Sequence, residues 1–259
     1  MQNGFRPLGT YGISKTGTCA LCGVAGPLSK THVPPEKAGN HQPSAAMGTR
    51  AEKGLAQVQP GTLRDGGTWA WLLCEPCNQK VGKHDEEFIR WWYGMVRSWS
   101  EVNEPKAGEF RTGRLPNSRP GAFIRSVLGG MFAFNPDLRT RCTDVAAAIL
   151  SGDPVALPND LQLMMSLYWH GNRYVLGKMT MVVTETDFSS STSLSVEGEW
   201  PWPPFHLALV DPSKSDYWPE AMNISSWLLE EPDVVRDVEM SFGVLGVDDL
   251  FMSRFRNEQ

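Results

Sequence analysis

Four cysteines lie in two Cys-x-x-Cys pairs, Cys19 with Cys22 and Cys74 with Cys77. Together the pairs supply four thiolates, and four thiolates in a tetrahedron are a usual ligand set of structural zinc. The spacing therefore predicts one Zn²⁺ ion that both pairs share and that staples two distant segments of the chain. A fifth cysteine, Cys142, lies outside this pattern.

A histidine and an asparagine stand close to these pairs. His32 lies in a Thr-His-Val-Pro-Pro segment between the two pairs, and Asn78 directly follows Cys77. A neutral imidazole that titrates near pH 7 suits a general base. An amide oxygen suits a hard cation such as Mg²⁺, which in turn suits a phosphate. A metal-dependent phosphodiesterase needs residues of these types.

The elements that must position these residues follow a strand–strand–helix order. β-formers predict strands over 28–33 and 68–73, and a helical repeat of Phe, Trp and Met predicts a helix that begins at Asp85. Residues 36–67 are rich in Gly, Pro, Ala and Gln and predict a long loop, with one helical turn at 50–56. The large side chains of the helix are expected in the core rather than on a base-stacking surface.

This order of knuckle, histidine, knuckle and asparagine resembles the zinc-stapled HNH, or His-Me finger, endonucleases, which include phage resolvases of the endonuclease VII type. Beyond residue 90 the chain also looks like bacterial HNH-type proteins that share the Thr-His-Val-Pro-Pro segment and an α+β tail. The resemblance implies a small ββα-metal module, His32 as the general base and Asn78 as a ligand of a catalytic Mg²⁺ or Mn²⁺ ion. Zn²⁺ would then be purely structural.

The chain departs from that family at two positions. Thr31 precedes the histidine where an aspartate ligand is common, and only Asn40 is placed to act as the middle asparagine that orients the histidine. The missing carboxylate ligand is expected from Asp85 or Glu86, at the start of the helix that follows Asn78, with His84 as a further candidate. The alternatives are structural: Asp85 as a first-turn residue that offsets the helix dipole, His84 as a neighbour of the helix cap, and His32 as a solvent-facing residue of a zinc ribbon.

Charge divides the chain into unlike halves. Residues 1–125 hold 16 Lys and Arg against 10 Asp and Glu, whereas residues 126–259 hold 8 against 19. Phosphates require cationic partners, so the N-terminal half is expected to contact nucleic acid, with DNA favoured over RNA. An ordinary solvated surface explains the same charge. The acidic half is expected to shield the basic face, to bind a protein or small ligand, or to keep the molecule soluble.

The composition predicts an α+β protein with two domains. We expect a zinc-stapled HNH-like module at 1–102, a linker at 103–120 and a mixed α+β domain at 121–259. The second domain should contain helices near 122–134 and 144–150, followed by strands, with a hairpin turn at Gly171-Asn172.

The sequence favours a cytoplasmic location. The first 12 residues contain no continuous apolar run, which predicts no signal peptide, and no stretch approaches the length of a membrane span. Paired cysteines with one odd thiol fit a reducing compartment.

Two functions compete at this point. The favoured one is a metal-dependent endonuclease, of the kind that serves phage defence or mobile elements. The other is a non-catalytic zinc finger that docks a protein or a nucleic acid, in which Thr31 marks a lost metal ligand.

Overall fold

The computed structural model describes residues 14–42, 44–45, 48–52, 55–59, 63–100, 107–168, 179–184, 191–213 and 221–245. Helices and sheets are both present, so the protein belongs to the α+β class. The predicted turn at Gly171-Asn172 lies outside these residues.

The N-terminal part of the fold contains four two-stranded antiparallel sheets, two of which hold the cysteine and histidine segments. Strands β1 (Thr16–Thr18) and β2 (Ala25–Pro27) pair with each other, and β3 (Ser29–His32) pairs with β8 (Trp69–Leu73). In the second pair, Lys30 lies opposite Trp71 and His32 lies opposite Trp69. The two strands predicted around the histidine and before the second cysteine pair are therefore present.

The segment between β3 and β8 differs from its prediction. Its described residues form four short strands, and the expected helical turn at 50–56 is wrong, because strands pair antiparallel there. The strands are β4 (Ser44–Ala45), β5 (Gly48–Glu52), β6 (Leu55–Gln59) and β7 (Leu63–Arg64).

Helix α1 (Glu75–Ser100) begins directly after Cys74 and not at Asp85. Pro76 is tolerated in the first turn, where its missing N–H needs no partner, and Glu75 offsets the dipole there. Asp85 therefore lies well inside the helix, which excludes its expected role as a first-turn residue. The side chains of Phe88 and Trp91 are fully buried in the core.

A seven-stranded sheet forms the C-terminal part. Its order is β11-β12-β13-β10-β15-β9, and β14 also pairs with β10. Strand β9 (Phe110–Ser118), which lies within the segment predicted as a linker, pairs antiparallel with β15. The other strands are β10 (Gln162–Tyr168), β11 (Met179–Thr184), β12 (Ser191–Trp202), β13 (Phe205–Val210), β14 (Met222–Asn223) and β15 (Arg236–Leu245).

Helix α2 (Pro120–Phe134) joins the two parts. Nearly all of its residues are buried, and it packs against α1. One continuous cluster of buried apolar side chains includes Cys19 and Trp91 from the N-terminal part and Phe123 and Leu207 from the C-terminal part. The described residues also form helices α3 (Asp137–Arg141) and α4 (Thr143–Ser151) and a 3₁₀ helix (Ser225–Leu229).

Candidate functional site

The four paired cysteines meet in space. Their sulfur atoms all lie within 4.8 Å of one another, and Sγ of Cys22 is 3.8 Å from Sγ of Cys74. A ZnS₄ tetrahedron with bonds of about 2.3 Å has edges of about 3.8 Å, whereas a disulfide requires about 2.05 Å. The cluster is therefore compatible with a metal site such as zinc and not with disulfides, as the spacing predicts.

The backbone around the first pair is shaped for this role. Gly23 has a φ of 76° and donates its N–H to the carbonyl of Cys19, which closes a tight turn that favours glycine. Ala20 donates to the carbonyl of Leu72, which ties the turn to the strand preceding Cys74. Both pairs are thus held in place by the fold.

The environment of the Cys19 thiol lowers its pKa. Burial raises its pKa, but the N–H groups of Cys22, Cys74 and Leu21 point at the sulfur and bring the pKa down to about 7. Burial raises the pKa of Cys77 well above its usual value. A divalent cation stabilises the thiolates outright, so an ion among them offsets that cost.

His32 ends strand β3 and is largely buried, with 15% of its side chain exposed. Its Nε2 lies 3.8 Å from a carboxylate oxygen of Glu36, and its buried Nδ1 has no hydrogen-bond partner. Burial and the nearby Lys30 lower the pKa of the imidazole, an effect that Glu36 partly opposes. The ring is therefore neutral at neutral pH and has a nitrogen available to accept a proton.

Asn40 braces the backbone that follows His32. Its amide nitrogen donates to the carbonyls of Pro34 and Thr68, at 2.6 and 3.0 Å, and its oxygen accepts from the N–H of Thr68 at 2.6 Å. Gly67 makes the approach possible, because a Cβ there would overlap the Asn40 carbonyl. Asn40 is fully buried and does not face the pocket described below, so it can position the histidine loop without touching a substrate.

One face of α1 places an amide and a carboxylate beside the histidine. Asn78, Val81 and Asp85 recur at the i, i+3, i+7 spacing of a single helix face. The amide nitrogen of Asn78 donates to the carbonyl of Lys30 at 3.1 Å, so the amide oxygen is not used in this contact. The helix is thereby fixed against strand β3 beside the histidine.

Asp85 is partly buried and contacts the C-terminal part. Oδ1 accepts a hydrogen bond from the hydroxyl of Ser126 at 2.6 Å. Burial raises the pKa of the Asp85 carboxyl to about 6, although the Ser126 hydrogen bond lowers it. Such a carboxyl is mostly ionised at neutral pH, and a bound cation would offset the free-energy cost of burying its charge.

These residues share one small pocket, which is separate from the cysteine cluster. His32, Asn78 and Asp85 line it, with about 20 Å³ of space, enough for one water molecule. Thr31 also lines it, and its hydroxyl lies 3.4 Å from the carbonyl of Ser29. The pocket thus combines a neutral imidazole, an amide and a carboxylate.

His84 does not line this pocket. Its Nε2 lies 3.3 Å from the carbonyl of Ile149 on α4, and burial lowers its pKa. His84 therefore forms a packing contact between α1 and α4. It does not lie in the pocket with Asn78 and Asp85, where it could share a cation with them.

The opposite wall of the pocket comes from residues of the C-terminal half that were not among the predicted site residues. Ser126, Gly129 and Gly130 of α2 and Trp200 of β12 form it. The glycines allow close packing, since a Cβ on Gly129 would lie 2.8 Å from Val81 and one on Gly130 would overlap the Trp200 ring. Consecutive glycines inside an apolar helix were the only available signal.

Comparisons of the chain with protein-family models, curated proteins and solved structures find no match. The resemblance to HNH endonucleases therefore depends on the motifs and geometry described above. Among the described residues, no helix has the length and apolar character needed to cross a membrane.

Proposed function

We propose that this protein is a zinc-stapled, HNH-like endonuclease that hydrolyses phosphodiester bonds of nucleic acid with the help of Mg²⁺ or Mn²⁺. The observation that carries the proposal is the convergence of His32, Asn78 and Asp85 on one pocket away from the four cysteines. These residues were selected from the sequence for their chemistry, and His32 lies far from Asn78 and Asp85 in the sequence. The cysteines would hold Zn²⁺ as a structural ion.

His32 is the general base in this proposal. Its unpartnered Nδ1 accepts a proton from water, and the lowered pKa keeps the ring in the neutral form that the step requires. Asn40 holds the loop that follows His32 and so limits the motion of the ring. The adjacent Glu36 carboxylate stabilises the imidazolium that results.

The pocket residues fit a hard divalent cation. The oxygen of Asn78 accepts no hydrogen bond from the described residues, and only one oxygen of Asp85 does so. Both are ligand types that Mg²⁺ prefers. When bound there, the ion supplies charge neutralisation at the phosphate. Asp85 thus supplies the carboxylate ligand that is absent at Thr31. Because the pocket is small, it must widen for a substrate to bind.

The test is cleavage of a panel of single-stranded, duplex and branched DNA and RNA with added Mg²⁺ or Mn²⁺. Asn78→Ala and Asp85→Ala should each raise the cation concentration needed for half-maximal cleavage by about tenfold or more. Glu86, the alternative carboxylate, is exposed on the same helix and does not line the pocket, so Glu86→Ala is the matched control and should not change the cation requirement. Equal cation requirements in all the variants would refute the assignment.

A second candidate, a non-catalytic zinc module, is favoured by Thr31 and by the small size of the pocket. Thr31→Asp separates the two, because a new carboxylate beside the histidine should preserve or raise cleavage only in an enzyme. An uncleaved substrate panel with both wild type and Thr31→Asp supports the binding module.

A further inference from the structure

The paired strands β3 and β8 carry two tryptophans on the same face as His32. Paired residues of an antiparallel ladder project to one side, and residues two apart along a strand share that side. The register places Lys30 opposite Trp71 and His32 opposite Trp69. The other face carries Thr31, Ala70 and Leu72, all of which are buried in the core.

The tryptophan face remains partly open to solvent. Trp69 and Trp71 are partly exposed, with ring centroids 5.9 Å apart in an edge arrangement. Trp69 also donates its indole N–H to the carbonyl of Asp65 at 3.2 Å, which fixes the orientation of the ring. Two neighbouring, partly exposed indoles provide a large area for contact with another molecule.

Ammonium groups lie against both rings. Nζ of Lys30 is 4.5 Å from the ring centroid of Trp69, and Nζ of Lys15 is 5.2 Å from that of Trp71. Both lysines are exposed to solvent. Lys15 lies just before β1, and Lys30 lies within β3. The surface therefore offers aromatic faces and positive charge together, in a row that ends at His32.

We propose that this surface, the Trp69–Trp71 platform with Lys15 and Lys30, binds single-stranded nucleic acid and directs it to His32. Unpaired bases stack on indole rings regardless of sequence, and ammonium groups neutralise the phosphates between them. Bases in a duplex are already stacked on each other and are not free to do so. The preference for a single-stranded substrate deepens the proposed function. Cleavage beside His32 rests on that proposed function, whereas binding of the nucleic acid does not.

The experiment measures binding of the full-length, zinc-containing protein to fluorescent oligothymidylate and oligouridylate of about 12 nucleotides. No Mg²⁺ or Mn²⁺ is added, so that binding is scored apart from cleavage. A duplex of equal length is measured in parallel. The wild type should bind the single strands more tightly than the duplex.

Trp71→Ala should weaken single-strand binding by about 5- to 100-fold, which corresponds to the stacking of one base. Trp71→Phe keeps an aromatic ring and should retain most of the affinity. Trp71→Leu keeps apolar bulk without a flat ring and should lose it, so this variant still gives the test if the alanine variant does not fold. Zinc content and thermal unfolding show that each variant is folded.

Tyr93→Ala is the matched control, because this aromatic residue is 57% exposed on α1 and lies outside the platform. Its affinity should stay within twofold of wild type. Lys15→Ala and Lys30→Ala should each lower the slope of log affinity against log salt by about 0.7.

The proposal is overturned if the wild type binds no single strand, if Trp71→Leu binds within twofold of wild type, or if duplex binds more tightly with the same dependence on Trp71. Binding with these Trp71 effects but no cleavage under any cation would refute the nuclease alone. Cleavage without Trp71-dependent binding would refute the platform alone.

Discussion

Ser126 donates its hydroxyl to Oδ1 of Asp85 across 2.6 Å. The bond joins α2, in the C-terminal half, to the carboxylate that we assign to the catalytic cation. The acidic half therefore contributes directly to the walls of the pocket, with Trp200 on the same side.

The zinc staple is tested at the second cysteine pair. Cys77→Ser should lose the bound Zn²⁺ and several kcal/mol of stability, because metal binding free energy contributes to folding. Cys142→Ser is the control, since this buried thiol lies outside the cluster and should leave the metal in place. Metal analysis after purification under reducing conditions, together with thermal unfolding, measures both. One zinc per chain in both variants would rule out the staple.

The glycines of α2 give a packing prediction. Gly130→Ala should destabilise the protein by about 1–3 kcal/mol, because the added Cβ would overlap the Trp200 ring and lie 2.9 Å from Val33. Gly82→Ala on α1 is the matched control. No atom lies within 4 Å of its added Cβ, so helix propensity should raise stability by up to about 1 kcal/mol. Urea unfolding measures both changes, and destabilisation of similar size in the two variants would contradict the packing.

Asn40 should act through the backbone. Asn40→Ala removes the partners of two carbonyls and one N–H around the histidine loop, and should cost about 2–4 kcal/mol. Asn159→Ala, at an exposed site, should change stability by less than about 0.5 kcal/mol. The comparison is again made by urea unfolding; a mild effect at Asn40 would show that the loop does not depend on it.

Asp85 gives a prediction that depends on pH. Burial raises the folded-state pKa to about 6 from the ordinary 3.8, so the ionised carboxylate costs stability as pH rises through that interval. Asp85→Asn should therefore raise the melting temperature by a few degrees above pH 6, with the gain shrinking toward pH 4. Melting curves across this range, taken without added Mg²⁺ or Mn²⁺, measure the difference. A gain that grows toward low pH would contradict the raised pKa.

Local patterns predicted much of the N-terminal part. The cysteine spacing is sufficient to predict the cluster. Each Cys-x-x-Cys pair brings its own two sulfur atoms close together, and two such pairs supply the four thiolates of a zinc site. The strands at 29–32 and 69–73 follow from their β-formers. The start of α1 was missed because Pro76, Cys77 and Asn78 are poor helix formers in sequence and are held here by the knuckle and the first turn.

The residues that form the opposite wall of the pocket could not be predicted from local sequence patterns. Ser126 and Trp200 reach Asp85 and His32 through packing between elements that are far apart in the chain. Likewise, the segment 103–120 was predicted as a linker from its Pro- and Gly-containing stretches, but within it residues 110–118 pair with β15 and form a strand. Tertiary contacts, and not local propensity, determine both.

The most direct test of the central claim compares two histidine variants in the same cleavage assay. His32→Ala should lower the rate of Mg²⁺- or Mn²⁺-dependent phosphodiester cleavage by about 10²–10⁴-fold, the usual effect of removing a general base. His41→Ala, an exposed histidine outside the pocket, should cleave at the wild-type rate. Both should keep wild-type zinc content and melting temperature. Cleavage by folded His32→Ala at the wild-type rate would contradict the account.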